Sequence, residues 1–314
     1  MVNNYTNLND LFTDMAKAIR TKKDGTESIN AYDFPKEIEG IKNEFDYNNQ
    51  AIVTIPDYAF YNCEDLKNVN CLNITSIGAS AFENCTALKT IILYDDVKSV
   101  GENAFKGCSN LTIYCEAESK PDTWSDDWNP DNCTVVWGYA PVETWDVSAT
   151  KEDNVIAKLY NDINKEGFYI LNISGRGRMK DYNSNDMPWY VSRYHNKISS
   201  TVITGVLYIG NSALSFCKIT SATIDNSTIS IGHYAFQVCS SLISIVIPDS
   251  VTSIGNEAFY GCLSLKSIIY VGTIAQWNTI TFGSNWNGGR TGNYTIHCTD
   301  GTIAKDGTIT YYNA

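Results

Sequence analysis

Several features that mark the common classes of enzyme and metalloprotein are scarce in this sequence. Its 314 residues contain three histidines, and none of these has a partner at metal-ligand spacing. No two cysteines stand in a Cys-x-x-Cys pair, the spacing that many zinc sites use. No Gly-x-Ser-x-Gly segment occurs, and Gly175 and Gly177 are not followed by the Gly-Lys-Ser/Thr of a phosphate loop. We therefore expect no metal, no cofactor, no catalytic residues and no enzymatic activity.

Basic residues are also few. Lys and Arg number 23 against 35 Asp and Glu, so the formal net charge is -12. Such a balance disfavours nucleic acid and anionic membranes as partners. The apolar runs are too short to span a bilayer, and the asparagine-rich start has no apolar stretch typical of a secretory signal. We expect no membrane insertion and no signal peptide.

A repeated unit dominates what the sequence does contain. The segment from Ile231 to Ile268 holds Ile-Gly-x-x-Ala-Phe-x-x-Cys-x-x-Leu-x-x-Ile twice, with a period of 23 residues. A fixed period in this range is typical of solenoid proteins. Six copies occur, in two sets of three with spacings of 22 and 23 residues. Their central pairs are Ala59-Phe60, Ala81-Phe82, Ala104-Phe105, Ala213-Leu214, Ala235-Phe236 and Ala258-Phe259.

Each copy has the pattern of one solenoid coil. Leu242, Ile245 and Ile247 have the spacing of a short strand with inward side chains, and Pro248 ends it because proline has no N–H for the ladder. The Ala-Phe pair predicts a short α-helical or 3₁₀ segment on the return side. Because one coil cannot bury its apolar face alone, the coils are expected to stack.

Each copy also carries a cysteine three residues after its Phe or Leu. We predict that these six thiols point inward and are free, because a buried cysteine behaves as a small apolar residue. They are Cys63, Cys85, Cys108, Cys217, Cys239 and Cys262. Whether the cysteines outside this pattern pair with one another stays open; they are Cys71, Cys115, Cys133 and Cys298.

The repeats resemble the leucine-rich repeats of the BspA-like, or Treponema pallidum-type, family. The resemblance covers about Ile52–Cys115 and Val202–Tyr270. The fourth copy departs from it, because Leu214 replaces Phe and the following Leu position is lost, so we expect a shortened coil. The resemblance implies an α+β repeat solenoid: two leucine-rich-repeat arrays of three coils each, with β-rich caps and an N-terminal helical segment.

The domain organisation follows from this assignment. The glycine turn ending at Met179 and the Pro188-Trp189-Tyr190 segment resemble the module that precedes repeats in the same family. We predict an N-terminal helical assembly segment (residues 1–42), a first array with its C-terminal cap (43–138) and a linker (139–144). A β-rich N-terminal cap (145–200) and a second array with its cap (201–314) complete the chain.

The N-terminal segment has apolar residues at helical spacing. This helix either docks on the next segment or forms a self-association seam, and the candidates for homo-oligomer contact are Leu8, Leu11, Phe12, Met15 and Ile19. The stretch Leu8–Ile41, with Leu11-Phe12, Lys22, Gly25 and Phe34-Pro35, resembles a segment of tail-associated proteins of phages and prophages. That resemblance implies a virion appendage.

Two groups of residues are candidates for partner contact. A solenoid offers an extended surface, and outward strand positions lie on it. Ile92, Val246 and Ile269 would form an apolar contact strip there, or else pack against a cap or the other array. The strand-face candidates are Asn68, Asn70, Thr90, Ile92, Ser244, Val246, Ser267 and Ile269. Tyr234 and Tyr260 are candidates for an aromatic edge.

The sequence thus predicts a non-enzymatic binding protein located in a virion tail or on a bacterial surface. The leading interpretation is a phage or prophage tail-associated protein that contacts a bacterial surface receptor, either protein or glycan. One alternative is a structural tail assembly protein that binds other virion proteins. The other alternative is a bacterial cell-surface adhesin built from leucine-rich repeats.

Overall fold

The computed structural model describes residues 54–64, 66, 69, 71, 74–183, 185–288 and 291–312. The predicted helical segment, residues 1–42 with its oligomerisation candidates from Leu8 to Ile19, lies outside these residues. So do the contact candidates Asn68 and Asn70. The chain divides into two compact units, Met1–Ala140 and Pro141–Ala314. The finer domain boundaries drawn from the sequence stay predictions.

The described part of the first unit contains two parallel sheets of three strands each. Strands β1, β2 and β4 form one sheet, and β3, β5 and β6 form the other. One coil supplies β2 and β3, and the next supplies β4 and β5, so each coil adds a strand to both sheets. The strands are β1 (Thr54–Ile55), β2 (Ser76–Ile77), β3 (Thr90–Leu93), β4 (Ser99–Val100), β5 (Thr112–Cys115) and β6 (Thr134–Val136).

The second unit is built on one sheet of 13 strands. Its elements are β7 (Glu143–Asp146), β8 (Asn154–Asn161), β9 (Tyr169–Arg178), α1 (Pro188–Val191), β10 (Ile198–Ile209), β11 (Ser221–Ile224), β12 (Ser230–Ile231), β13 (Ser244–Ile247), β14 (Ser253–Ile254), β15 (Ser267–Tyr270), α2 (Ile274–Trp277), β16 (Thr281–Phe282), β17 (Thr295–Cys298), β18 (Gly301–Ala304) and β19 (Ile309–Tyr311).

The long strand β10 connects the cap strands to the coils. It pairs in parallel with β9, while its first half pairs with β11 and its second half with β12. Each later coil extends both ladders: β13 and β15 follow β11, and β14 and β16 follow β12. The antiparallel strands β7 and β8 continue the sheet beyond β9. The sheet face that begins on the cap therefore runs on across the coils.

The predicted α+β class is wrong, because the described residues are almost entirely β and contain only two helices of four residues each. Both helices lie outside the Ala-Phe segments, which form successive turns. The reason is a pair of left-handed residues on either side of each Ala-Phe pair. In the coil around Phe236 these are Tyr234 (φ 59°) and Val238 (φ 57°). An α-helix does not accommodate such residues.

The turn segments bond to one another instead. Every second N–H of a turn donates to a carbonyl of the next coil, as Phe236 does to Ala258 at 2.9 Å and Val238 to Tyr260 at 2.7 Å. The N–H groups between them close turns within the coil, as Gln237 does onto Tyr234 at 3.0 Å. Stacked coils are thus hydrogen-bonded along their turns as well as along their strands.

An aromatic stack runs through each core. In the first unit Phe82 lies between Phe60 and Phe105, with ring centroids 5.1 and 5.4 Å apart and planes within 5° of parallel. Trp128 closes the stack edge-on against Phe105 at 5.9 Å. Phe236 and Phe259 form the same stack in the second unit, where the equivalent edge-on ring belongs to a tryptophan, Trp286.

The six repeat cysteines are buried and free, which confirms that prediction. Four of these thiols, those of Cys85, Cys108, Cys239 and Cys262, also donate a hydrogen bond to a carbonyl of the preceding coil, which the sequence did not indicate. Cys239 Sγ donates to the Leu214 carbonyl at 3.0 Å, and Cys262 Sγ donates to the Phe236 carbonyl at 3.1 Å. The four cysteines outside the pattern are free as well.

Candidate functional site

One row of side chains crosses the outward face of the sheet in the second unit. Core residues such as Ile173, Ile245 and Ile268 point to the other face, and their neighbours along each strand point outward because strand side chains alternate. Strand register places one outward residue of each strand beside the next. This outer row consists of Lys158, Asn172, Val202, Thr223, Val246, Ile269, His297 and Thr302. At ~4.8 Å per strand the row is roughly 34 Å long.

A second row lies beside the outer row, two residues earlier on each parallel strand. This hydroxyl row consists of Ser200, Ser221, Ser244, Ser267 and Thr295. These Ser and Thr side chains are short and polar, so they project little from the sheet and leave its face polar there. The register therefore brings four of the predicted strand-face residues together: Ser244 and Ser267 in the hydroxyl row, Val246 and Ile269 in the outer row.

Burial differs among these predicted contact residues. Ser244 and Val246 are half-buried, whereas Ser267 is 5% exposed and Ile269 is 3% exposed. Ile269 nevertheless stands outside the hydrophobic core cluster of its unit. In the outer row Asn172, Val202 and Ile269 are buried. The half-buried members are Thr223 and Val246 at its centre and Lys158, His297 and Thr302 towards its ends. A role of these residues in binding stays a prediction.

Two side chains of the rows carry buried polar atoms without a hydrogen bond. Asn172 is 2% exposed, and neither its Nδ2 nor its Oδ1 has a partner among the described residues. The same holds for Ser267 Oγ. Buried polar groups are nearly always bonded, so each exception needs a reason. Sequence reasoning missed Asn172, because an asparagine in a strand gives no sign of being buried.

The first unit has a shorter version of this face. Thr90 pairs with Thr112, and Ile92 pairs with Tyr114 on β5, which in turn pairs with Val136 on β6. Thr90 is half-buried, while Ile92 is 7% exposed and lies outside the core cluster.

A shallow groove of about 310 Å³ lies at the turn edge of the second unit. Tyr234, one of the predicted edge aromatics, lines this edge groove and is 37% exposed. Tyr260 is half-buried and is not part of the lining. The groove is lined by Tyr182, Asn183, Asn211, Ser212, His233 and Tyr234.

A ladder of side-chain acceptors fixes the walls of the edge groove. In the second unit, the side chain of the residue after each Ile-Gly pair accepts a hydrogen bond from the backbone N–H of the equivalent residue in the next coil. Asn211 Oδ1 accepts from the His233 N–H at 2.7 Å, and His233 Nδ1 accepts from the Asn256 N–H at 2.8 Å. Asn256 Oδ1 continues the ladder to the Ser284 N–H at 2.8 Å. We call this set the edge ladder.

Two ionisable side chains of the second unit, Asp225 and His195, have pKa values shifted by burial. Burial raises the pKa of Asp225, whose carboxylate accepts the backbone N–H groups of Gly205 and Ser227. Burial lowers the pKa of His195, whose ring stacks on Tyr190 at 4.3 Å. Among the described residues, no cluster of three or more His, Cys, Asp and Glu is placed to hold a metal ion.

Comparison with known families agrees with this repeat architecture. The profile of the BspA-type leucine-rich repeat region matches six copies, at residues 27–119 and 194–287, which is more than half of the chain. The chain belongs to the BspA-type leucine-rich repeat family. None of the curated proteins compared with it gives a match.

Several solved structures are similar to this BspA-type protein. A leucine-rich cell surface protein from Faecalibacterium prausnitzii A2-165 is 20% identical, with 73% of this chain and 79% of the other covered at a TM-score of 0.26. A leucine-rich repeat protein from Eubacterium ventriosum ATCC 27560 is 23% identical, with 55% and 48% covered at a TM-score of 0.37. The pneumococcal vaccine antigen PcpA is 18% identical, with 78% and 54% covered at a TM-score of 0.30. This chain spans about half the length of the last two.

These comparisons do not support the resemblance of Leu8–Ile41 to tail-associated proteins, nor a place in a virion. The family match itself begins at residue 27, inside that segment. Within the part of the chain that the structure describes, no helix has the length and apolar character needed to cross a membrane.

Proposed function

We propose that this BspA-type protein is a non-enzymatic adhesin that acts at a bacterial surface and binds its partner through the outer row of the second unit. The observation that carries the proposal is the continuous register of the outer row, in which the half-buried Thr223 and Val246 lie side by side and are accessible to a partner. An accessible apolar side chain beside a hydroxyl, on a face that extends across the stacked coils, suits contact with a partner.

The shape of the surface supports a macromolecular partner. The outer and hydroxyl rows together form a long strip of short side chains, with Lys158 near one end and His297 near the other. Stacked repeats present extended faces of this kind, which suit a protein or an extended glycan. The adhesin interpretation also accords with the cell-surface description of the F. prausnitzii protein.

The test is binding of the purified full chain to intact bacterial and epithelial cells, measured by flow cytometry. Val246→Arg places a long charged side chain at the centre of the outer row. We expect this variant to lose more than about 90% of binding, because a desolvated contact at an interface centre costs more than about 1.4 kcal/mol when disrupted.

Leu207→Arg is the matched control. Leu207 is also an apolar strand residue, 42% exposed, but it lies in the second half of β10 and outside the outer row. Its variant should bind as the wild type does. Absence of binding to every cell type, or equal binding by the two variants, contradicts the proposal.

A further inference from the structure

Two hydroxyl groups line the edge groove without a hydrogen bond to any described residue. Tyr182 is 8% exposed and Ser212 is 4% exposed, and both line the groove. Their backbone N–H groups are engaged, Tyr182 with the Asn211 carbonyl and Ser212 with the His233 carbonyl, at 2.9 and 2.8 Å. Neither hydroxyl oxygen is among the enclosed atoms that lack a partner, so both oxygens are open to the groove. They are therefore placed to bond to a polar molecule there.

His233 contributes a donor whose position is fixed by the edge ladder. The Asn256 N–H donates to His233 Nδ1 at 2.8 Å, so this nitrogen carries no proton. In the neutral ring the proton is then on Nε2. Because His233 is exposed and lines the groove, the Nε2–H is available to a ligand.

Tyr234 contributes an aromatic face beside these polar groups. Its backbone is held in the left-handed region at φ 59°, and its N–H donates to the Asn256 carbonyl at 2.9 Å. A tyrosine ring offers a rigid apolar face with little loss of side-chain entropy on binding. An apolar ring face next to hydroxyl and imidazole groups complements a sugar, which has a face of C–H groups and a rim of hydroxyls.

Charge and size narrow the class of ligand. Two carboxylates contact the lining: Asp186 accepts from Asn183 Nδ2 at 3.0 Å, and Asp181 accepts from the Asn211 N–H at 2.8 Å. One cation lies beside them, with Lys180 Nζ 5.7 Å from the centroid of the Tyr182 ring. The excess of carboxylates and the net charge of -12 disfavour an anionic ligand. A volume of about 310 Å³ is at the small end of the ligand-pocket range of about 300–1,000 Å³. We propose that the edge groove binds one or two units of a neutral saccharide.

The experiment uses the full chain and an array of neutral oligosaccharides from bacterial envelopes and mucins, followed by calorimetric titration of those that bind. Tyr182→Phe removes only the hydroxyl and should weaken binding about three- to tenfold, the effect of one hydrogen bond. Tyr234→Ala removes the ring face and should weaken binding more than about tenfold.

His233→Asn separates the fold from the binding. Asn211 and Asn256 occupy the same position in the neighbouring coils and accept the same N–H bond, so the variant keeps the edge ladder. It lacks the Nε2–H, and we expect its affinity to fall at least about threefold with an unchanged thermal transition.

Tyr58→Ala is the matched control for Tyr234→Ala. Tyr58 has the same repeat position and the same backbone conformation, φ 58°, and it is 57% exposed in the first unit. Its variant should bind saccharide as the wild type does. No binding of any neutral saccharide at millimolar concentration overturns the proposal, as does equal affinity of the Tyr234 and Tyr58 variants.

Discussion

Replacing Asn172 by Leu should stabilise the second unit. Asn172 lies in β9 between Lys158 and Val202, is 2% exposed, and has no hydrogen-bond partner on either amide atom. Leucine has nearly the same size and no polar atom to leave unbonded. Replacing an exposed asparagine on the outward face of a strand usually changes stability little. The prediction therefore depends on Asn172 being buried and unpartnered.

The size of the effect follows from the missing bonds. An unsatisfied buried polar group costs about 1–3 kcal/mol, and the variant should regain about that amount. For a unit of this size, 1 kcal/mol corresponds to about 2–4 °C in Tm. We therefore expect an increase of about 2–12 °C.

The assay is thermal and urea unfolding of the full chain, followed by circular dichroism. Thr223→Val is the control, since Thr223 is half-buried in the same row and should change stability by no more than about 0.5 kcal/mol. A loss of more than about 1 kcal/mol in Asn172→Leu would refute the reasoning, because it would mean that the amide makes a bond in the folded chain.

Three further predictions concern the core and the ionisable groups. Phe82→Ala should cost about 3–5 kcal/mol in urea unfolding, since Phe82 is fully buried between Phe60 and Phe105. An effect below about 1 kcal/mol would argue against the stack. At pH 8 a thiol reagent should label Cys133, which alone of the ten cysteines is not fully buried, and the others only after unfolding; rapid labelling of several thiols in the native chain would contradict this. Burial lowers the pKa of His195, so below about pH 6.5 the unfolded chain takes up a proton that the folded chain does not. The free energy of unfolding should therefore decrease as the pH is lowered below about 6.5, and His195→Phe should make this decrease smaller.

The repeat pattern predicted the coil positions and the direction of their side chains. Ile245 and Ile247 are buried on β13 as expected, and the cysteines point inward. The fourth coil is shortened as predicted: Ile219, two residues after Cys217, is fully buried like Leu242, which stands three residues after Cys239. These features follow from apolar spacing, which a sequence displays directly.

The turns could not be predicted in the same way, because the sequence signal for a left-handed residue is not uniform. Asn84, Gly107 and Gly261 suit positive φ, but Tyr234 and Val238 occupy the same kind of position. Residues other than glycine rarely adopt a positive φ. Here, backbone hydrogen bonds between coils hold Tyr234 and Val238 in that conformation. Spacing alone therefore suggested a helix.

Only part of the candidate site could be predicted from the sequence, because the rest depends on contacts between coils. Outward positions such as Val246 follow from strand alternation, whereas Asn172 and Val202 join the outer row through register with strands of the cap. The tautomer of His233 and the unpartnered hydroxyl of Tyr182 depend on contacts between coils and with the cap. Contacts of that kind become apparent only when the coils are stacked.

The most direct test of binding through the outer row is a comparison within one variant. Thr223→Cys in a Cys133→Ser background puts an accessible thiol on the row while the other thiols stay buried. A bulky maleimide attached there should reduce cell binding to less than about a tenth of that of the unlabelled protein. Equal binding before and after labelling would contradict the account.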